Sequence, residues 1–426
     1  MFIHVVKPGE SLYSISRIYN MSPTQIAIDN EIRNIDRLVI GQAIVIAKET
    51  INHTVTAGES LYQISRRYNV PVSEILRVNP QITDPGTIYS GQVITIPSQI
   101  RKDGTIEVNG YAFPNIDSTV LKKTLPYLTY LSIFSYQVKQ DGSLTTINDE
   151  ALISTAKEAN VAPMMVITNI DPGKGFSSDI ARAVLTNQDV QNKLIDNILE
   201  VLKAKGYYGL DIDFEYVYPE DREAYNNFLR RISTTLHNSG YILTTALAPK
   251  ISAEQRGVLY EAHDYPAHGR YADHVILMTY EWGYTFGPPM AVAPINEVRK
   301  VLNYAVTAIP PKKILMGIPN YGYDWTLPYV RGTRAQTISN TGAVDLAARV
   351  GAIIQYDPKA QAPYFYYYDR DGKQHVVWFE DARSIMAKLM LVQDYNLGGV
   401  SYWTIGRYFP QNWLVLQSMY DVRKLL

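Results

Sequence analysis

Residues 208–216 read Tyr208-Gly209-Leu210-Asp211-Ile212-Asp213-Phe214-Glu215-Tyr216, a regular alternation of apolar and acidic side chains. Successive side chains of an extended strand point to opposite faces. Asp211, Asp213 and Glu215 therefore share one face, and Leu210, Ile212 and Phe214 share the other. Outward from this strand, apolar runs alternate with amphipathic stretches. Candidate strands are 107–113, 130–136, 162–168, 209–215, 243–248, 274–281, 314–320 and 398–404; helices are clearest over 189–204, 220–237, 295–308 and 381–394. Eight buried strands, each followed by a helix or crossover, predict an α/β fold of the closed (β/α)8 barrel type. A doubly wound sheet competes, but no Gly-rich phosphate loop follows the first strand. The stretch from Tyr321 to Phe379 is too long for a crossover. Its runs 364–368 and 375–379 flank Asp371-Gly372 like a hairpin, so an α+β insertion is expected after strand seven, at about 324–379.

In a barrel the apolar set of strand four faces the helices and the three acids line the interior. Barrel interiors are normally filled by branched apolar side chains, and uncompensated buried charge is costly. Carboxylates this close cannot all ionise freely, so at least one has a raised pKa. A carboxyl kept protonated near neutral pH is what a general acid needs. Glu215 is nearest the C-terminal end of the strand, where barrel enzymes keep their chemistry. The competing readings are a metal site and a polar core. The metal reading is the weaker: no histidine accompanies the triplet and no second acidic cluster is evident. No metal and no cofactor are expected.

The first hundred residues are built differently. Residues 4–20 read HVVKPGESLYSISRIYN and residues 53–69 read HTVTAGESLYQISRRYN, the second copy lying 49 residues after the first. The match resumes at Asn30 and Asn79, and again at Gly41-Gln42 and Gly91-Gln92, now 50 apart. Each copy predicts strand, helix, helix and strand: a His-x-Val strand, a turn, a helix burying Leu12, Ile15 and Tyr19 (or Leu61, Ile64 and Tyr68), a second short helix, and a closing strand after Gly-Gln. The expected modules span 1–48 and 51–97, with a short polar connection at 98–104.

These repeats resemble LysM modules, small βααβ units that bind glycans containing N-acetylglucosamine. The resemblance implies a ligand groove between the loops that follow the first strand and the second helix. The implied glycan-binding residues are Gly9, Glu10, Ser11, Leu12 and Asn30 in the first module, with Gly58, Glu59, Ser60, Leu61 and Asn79 in the second. Eight basic and eight acidic residues balance over 1–97, which suits recognition by hydrogen bonds and stacking.

The strand-four motif resembles the D-G-x-D-x-D-x-E signature of family 18 glycoside hydrolases, over the whole of 105–426. Met278-Thr279-Tyr280-Glu281 resembles the family's M-x-Y-D, Met316-Gly317-Ile318-Pro319-Asn320-Tyr321-Gly322 its M-G-I-P-x-Y-G, and Gly398 to Trp403 its G-G-x-x-x-W. The resemblance implies a retaining, substrate-assisted mechanism in which the sugar's own 2-acetamido carbonyl attacks the anomeric carbon. By residue, it implies that Glu215 is the acid and base, and that Asp213 orients the acetamido group with Asp211 behind it. Tyr280 would bond the acetamido oxygen, and Trp403 would form the apolar floor. Glu281, Tyr321, Trp282 and Met278 join the expected substrate site; Tyr323, Trp325, Tyr284 and Phe286 are further stacking candidates. Two departures stand out: Tyr208 replaces the motif's first Asp, and Glu281 replaces the Asp after Tyr280.

Composition narrows the classes further. Forty basic and 41 acidic residues in 426 give a net charge of −1, without the basic field of a nucleic-acid binder. No apolar run approaches the roughly 20 residues that span a bilayer. Zero cysteine excludes disulfides, thiolate zinc and thiol nucleophiles. The start, MFIHVVKPGE, lacks the basic and apolar regions of a secretory signal. Together these features resemble the spore cortex-lytic N-acetylglucosaminidases, so the expected partner is peptidoglycan and the expected place the spore coat, cortex or cell wall. A chitinase and a non-catalytic glycan-binding coat protein are the alternatives.

Overall fold

The computed structural model describes residues 1–98 and 102–426. Residues 99–101 of the expected connection lie outside the described residues.

Each repeat folds as strand, helix, helix and antiparallel strand. In the first, Phe2–Val5 pairs with Ala43–Ile46, enclosing helices Leu12–Tyr19 and Pro23–Asp29. In the second, Thr50–Thr54 pairs with Val93–Pro97, enclosing Leu61–Tyr68 and Val72–Val78. The repeated letters explain this geometry. Ser11 and Ser60 cap their helices in reciprocal boxes with Ser14 and Gln63. Each first helix ends at an asparagine in the left-handed region, Asn20 or Asn69, a conformation asparagine tolerates. His4 joins Tyr19 and Glu10, and Glu10 Oε2 also accepts from Lys7 N at 2.8 Å. His53, Tyr68, Glu59 and Thr56 repeat that clip. The two modules meet where Tyr19 and Tyr68 pack edge to face, ring centroids 6.3 Å apart.

Eight parallel strands then close on themselves: Thr105–Ala112, Tyr130–Gln137, Ala162–Thr168, Gly209–Asp213, Ile242–Leu247, His274–Leu277, Ile314–Pro319 and Gly399–Trp403. The last pairs with the first, Val400 opposite Val108, which excludes an open doubly wound sheet. Leu210, Ile212 and Phe214 are fully buried outside the barrel wall; Phe214 stacks on Tyr225 and Phe228 of helix Arg222–Asn238. The acids face inward.

Two strands end earlier than the alternation implies. Strand four stops at Asp213, leaving Glu215 on the segment that leaves the barrel top. Strand six stops at Leu277 rather than 281. There the backbone tightens: Thr279 N bonds Leu277 O and Tyr280 N bonds Met278 O, both at 2.8 Å, and Glu281 takes a positive φ of 67°.

Between strands seven and eight lies a five-stranded antiparallel sheet with helix Asn340–Val350. Its strands run in the order Gln336–Ile338, Gly322–Thr326, Gln374–Trp378, Ala362–Tyr368, Gln355–Asp357. This insertion also receives the first module. Ile354 N bonds Ile40 O at 2.9 Å, and Val39 joins an apolar cluster with Phe365 and Phe379. Gly41 permits the approach: a Cβ there would lie 1.9 Å from Ile354 O.

Candidate active site

At the C-terminal mouth of the barrel is a cavity of about 600 Å³. Its wall includes Asp213, Glu215, Met278, Tyr280, Glu281, Trp282, Tyr321 and Trp403. Four strand ends therefore bring together residues nearly 200 positions apart. Asp211 lies beneath, fully buried and off the cavity surface.

The acids have few donors. Tyr111 OH donates to Asp211 Oδ2 at 2.6 Å, but Asp211 Oδ1 and Asp213 Oδ1 are buried without a hydrogen-bond partner among the described residues. The electrostatic result follows from that poverty. Burial pushes Asp211 up to about 7 despite the Tyr111 bond. Burial, then the charges of Glu215 and Asp211, raise Asp213 well above the carboxylate range. Burial, then Glu281, raises Glu215 to about 7. The cluster titrates as a unit, and near neutral pH it holds protons that isolated carboxylates would have lost.

Glu215 is partly buried, and its backbone is fixed from both sides. Asn169, buried at the end of strand three, donates through Nδ2 to Glu215 O at 2.7 Å and accepts from Glu215 N at 3.0 Å. His263 accepts from Ala248 N at Nδ1, so its Nε2–H donates to Phe214 O at 2.9 Å. Burial lowers this imidazole to about 4, which keeps it neutral and its tautomer fixed. Sequence reasoning missed Tyr111, Asn169 and His263.

The floor is aromatic. Trp403 is boxed edge-on by Phe134, Tyr111 and Phe113, with centroid distances of 4.9, 5.3 and 5.8 Å. Tyr280 packs over Gly317, where a Cβ would come within 2.8 Å of its ring. Glu281 accepts hydrogen bonds from Tyr321 and Tyr323; burial nonetheless raises its pKa. Trp325 is not a stacking residue: it is 2% exposed and its indole nitrogen donates to Gly287 O at 2.9 Å. Tyr284 and Phe286 are exposed but do not line the cavity.

The repeat residues sort differently. Leu12 and Leu61 are core, and Asn30 and Asn79 are buried. Each asparagine ties its second helix to the closing strand, Asn30 through Ile26 O, Val45 O and Val45 N, and Asn79 through Ile75 O, Thr95 O and Thr95 N. Glu10 and Glu59 belong to the histidine clips, and Ser11 and Ser60 to the caps. At the eight of these positions that carry a side chain, it serves the fold. Gly9 and Gly58 leave open backbone that a ligand can approach.

Residues 107–407 match the family described as Glycosyl hydrolases family 18, and residues 4–47 and 53–97 match the LysM domain. The chain is 45% identical to a cortical fragment-lytic enzyme of Bacillus subtilis (strain 168), covering 100% of this chain and 99% of that one. It superposes on the spore cortex-lytic enzyme SleL of Bacillus megaterium QM B1551 with a TM-score of 0.88 and 41% identity, over 100% and 99% of the two chains. A chitinase from Chromobacterium violaceum ATCC 12472 is 27% identical with a TM-score of 0.69, covering 74% of this chain and 98% of its own.

Proposed function

The chain belongs to glycosyl hydrolases family 18, and on that premise we propose that it cleaves the β-1,4 bond on the reducing side of N-acetylglucosamine in spore cortex fragments during germination. It is a glycosidase with a spore-cortex type of domain organisation. Cell-wall or cortex association follows from the same likeness, and no helix among the described residues is long and apolar enough to cross a membrane.

The observation that carries the chemistry is a buried acceptor without a donor beside a carboxyl that keeps its proton. Asp213 lines the cavity, and its buried Oδ1 has no hydrogen-bond partner among the described residues. The acetamido N–H of a bound sugar supplies the missing donor and leaves the acetamido oxygen free to attack the anomeric carbon. Glu215, with its pKa near 7, protonates the departing glycosidic oxygen. That transfer leaves Glu215 as the base for the water that opens the oxazolinium intermediate. As positive charge develops, Asp213 passes its proton to Asp211 behind it, so that the Asp213 carboxylate balances the intermediate while Asp211 stays bonded to Tyr111. Tyr280 bonds the acetamido oxygen, and Trp403 offers its face to the apolar side of the ring.

No separate carboxylate nucleophile is needed, which distinguishes this route from that of ordinary retaining glycosidases. The two modules hold the enzyme on an insoluble polymer, raising local substrate concentration by linkage. Purified protein incubated with cortical fragments and with chitooligosaccharides tests the reading. Efficient release of reducing ends from cortical fragments is the expected result; cleavage of chitooligosaccharides alone overturns it. A thiazoline mimic of the oxazolinium should inhibit, and lack of inhibition counts against substrate assistance.

A further inference from the structure

The acidic cavity has one cation on its wall among the described residues, Arg407. It follows Trp403 by four positions, on a turn that buried Asn320 fixes from below. Asn320 Nδ2 donates to Thr404 O at 3.1 Å and to Arg407 O at 2.6 Å. The backbone is thus held while the exposed side chain stands at the mouth. Three other barrel guanidiniums are neutralised internally: Arg182 by Asp221 at 2.8 Å, Arg222 by Asp264 at 2.8 Å, Arg383 by Asp381 at 2.6 Å. Among the described residues Arg407 has no ion-pair partner, although Glu215 and Glu281 line the same cavity. Arg334 arrives from the insertion and is likewise unpaired; the fields of both arginines reach the Tyr323 hydroxyl that holds Glu281.

A planar guanidinium with free donors recognises a carboxylate in bidentate fashion. A chitin strand, built of N-acetylglucosamine alone, offers none. A muramic residue offers a 3-O-lactyl carboxylate, either free or extended by a peptide bearing carboxylates of its own. We propose that Arg407 forms a subsite for a carboxylate carried by the muramic residue of the strand being cut. The assignment rests on the peptidoglycan reading above and names what separates that substrate from chitin at this site.

Binding measured without turnover tests it. In an E215Q background, the N-acetylglucosaminyl–N-acetylmuramic acid disaccharide and neutral chitobiose are titrated calorimetrically against Arg407, R407Q and R407K proteins. The acidic disaccharide should bind more tightly than chitobiose. R407Q should weaken it roughly 3–10-fold and leave chitobiose unchanged; R407K should restore part of the preference. Added salt should erode the preference only when residue 407 is charged. A parallel titration with the peptide-bearing disaccharide separates the sources: a response confined to it assigns the peptide carboxylate, and a response from the free acid assigns the lactyl group. Equal effects of R407Q on acidic and neutral ligands, no effect on either, or no initial preference overturns the proposal. Failure of the unsubstituted enzyme to cut cortical fragments would instead count against the function proposed above.

Discussion

Two buried carboxylate clusters lie in the same barrel and are built in opposite ways. Asp149, fully buried at the start of helix Glu150–Glu158, accepts from the hydroxyls of Tyr136 and Tyr207 and from the ammonium of Lys205. Its charge is matched and its lone pairs are filled. Asp211, Asp213 and Glu215 are also withdrawn from water, yet among the described residues no cation pairs with them and their side-chain donors, Tyr111 and the neighbouring Ser132, serve Asp211 alone. Burial is common to both; the supply of donors is what differs. A saturated carboxylate locks structure, whereas an undersupplied cluster keeps protons and waits for a ligand to bring donors.

The largest break in this contrast comes from E215Q. Turnover should fall on the order of 10³-fold, the usual scale for a lost general acid, while the protein stays folded. The stability sign is opposite to that of a paired carboxylate. Glu215 has its folded pKa raised to about 7, so the stability linked to its proton is full below the unfolded value and is lost as pH rises through 7. E215Q should therefore melt at a higher temperature than the parent at pH 8 and near the parent at pH 4. A variant that melts lower at pH 8 would remove the distinction between the two clusters.

D149N should do the reverse. Removing the charge turns one of the two acceptor oxygens into a donating amide nitrogen that faces either Lys205 or the two tyrosine hydroxyls, and should cost about 3 kcal/mol, read from denaturant unfolding. Specific activity of the folded fraction should stay within about twofold, because Asp149, Tyr136, Tyr207 and Lys205 do not line the cavity. A large loss of kcat at unchanged stability would place Asp149 in the chemistry.

The same filled-against-open contrast recurs in the two modules. By the 50-residue offset, Val39 corresponds to Tyr89 and Ala43 to Val93, and the bonds from Val39 N to Gln42 and from Tyr89 N to Gln92 confirm the alignment. Val39 and Ala43 are each 4% exposed under the barrel and its insertion, whereas Tyr89 is 69% and Val93 54% exposed. Gly41 and Gly91 have positive φ of 86° and 85°, so alanine strains both backbones alike. Only at Gly41 does the new Cβ strike a neighbour. G41A should thus destabilise more than G91A by about 1–3 kcal/mol, the cost of overpacking. Equal losses in unfolding experiments would mean that module one does not dock as described.

The smallest expected effect is electrostatic. Glu281 raises Glu215 by its charge. E281Q should therefore move the basic limb of the kcat/KM profile to lower pH. An unmoved or higher limb would uncouple the two carboxyls.

Much of this was legible in the chain because periodicity survives in sequence. The alternation around Asp211, Asp213 and Glu215 fixed which side chains face the interior, and the repeated His, Glu and Tyr marked a module. What periodicity does not carry is the third dimension. Asn169 and His263 look like ordinary polar residues at strand and loop ends, and only barrel closure brings them to Glu215. Trp325 looked like a sugar platform because strands at the mouth alternate; its neighbour Gly287 comes from a separate loop. Asn30 and Asn79 repeat because each ties a helix to a strand, and repetition alone cannot tell a fold determinant from a ligand contact. Val39 and Tyr89 show the converse, equivalent positions whose different surroundings are set by residues some 300 positions away.

The central claim is that Glu215 and a substrate acetamido group together cleave on the reducing side of N-acetylglucosamine. Mass spectrometry of cortical fragments digested in heavy-oxygen water tests it most directly. The account predicts one heavy oxygen at new reducing ends that are all N-acetylglucosamine, formed by the parent enzyme and not by E215Q. New ends on muramic residues, or the same products from E215Q, would contradict it.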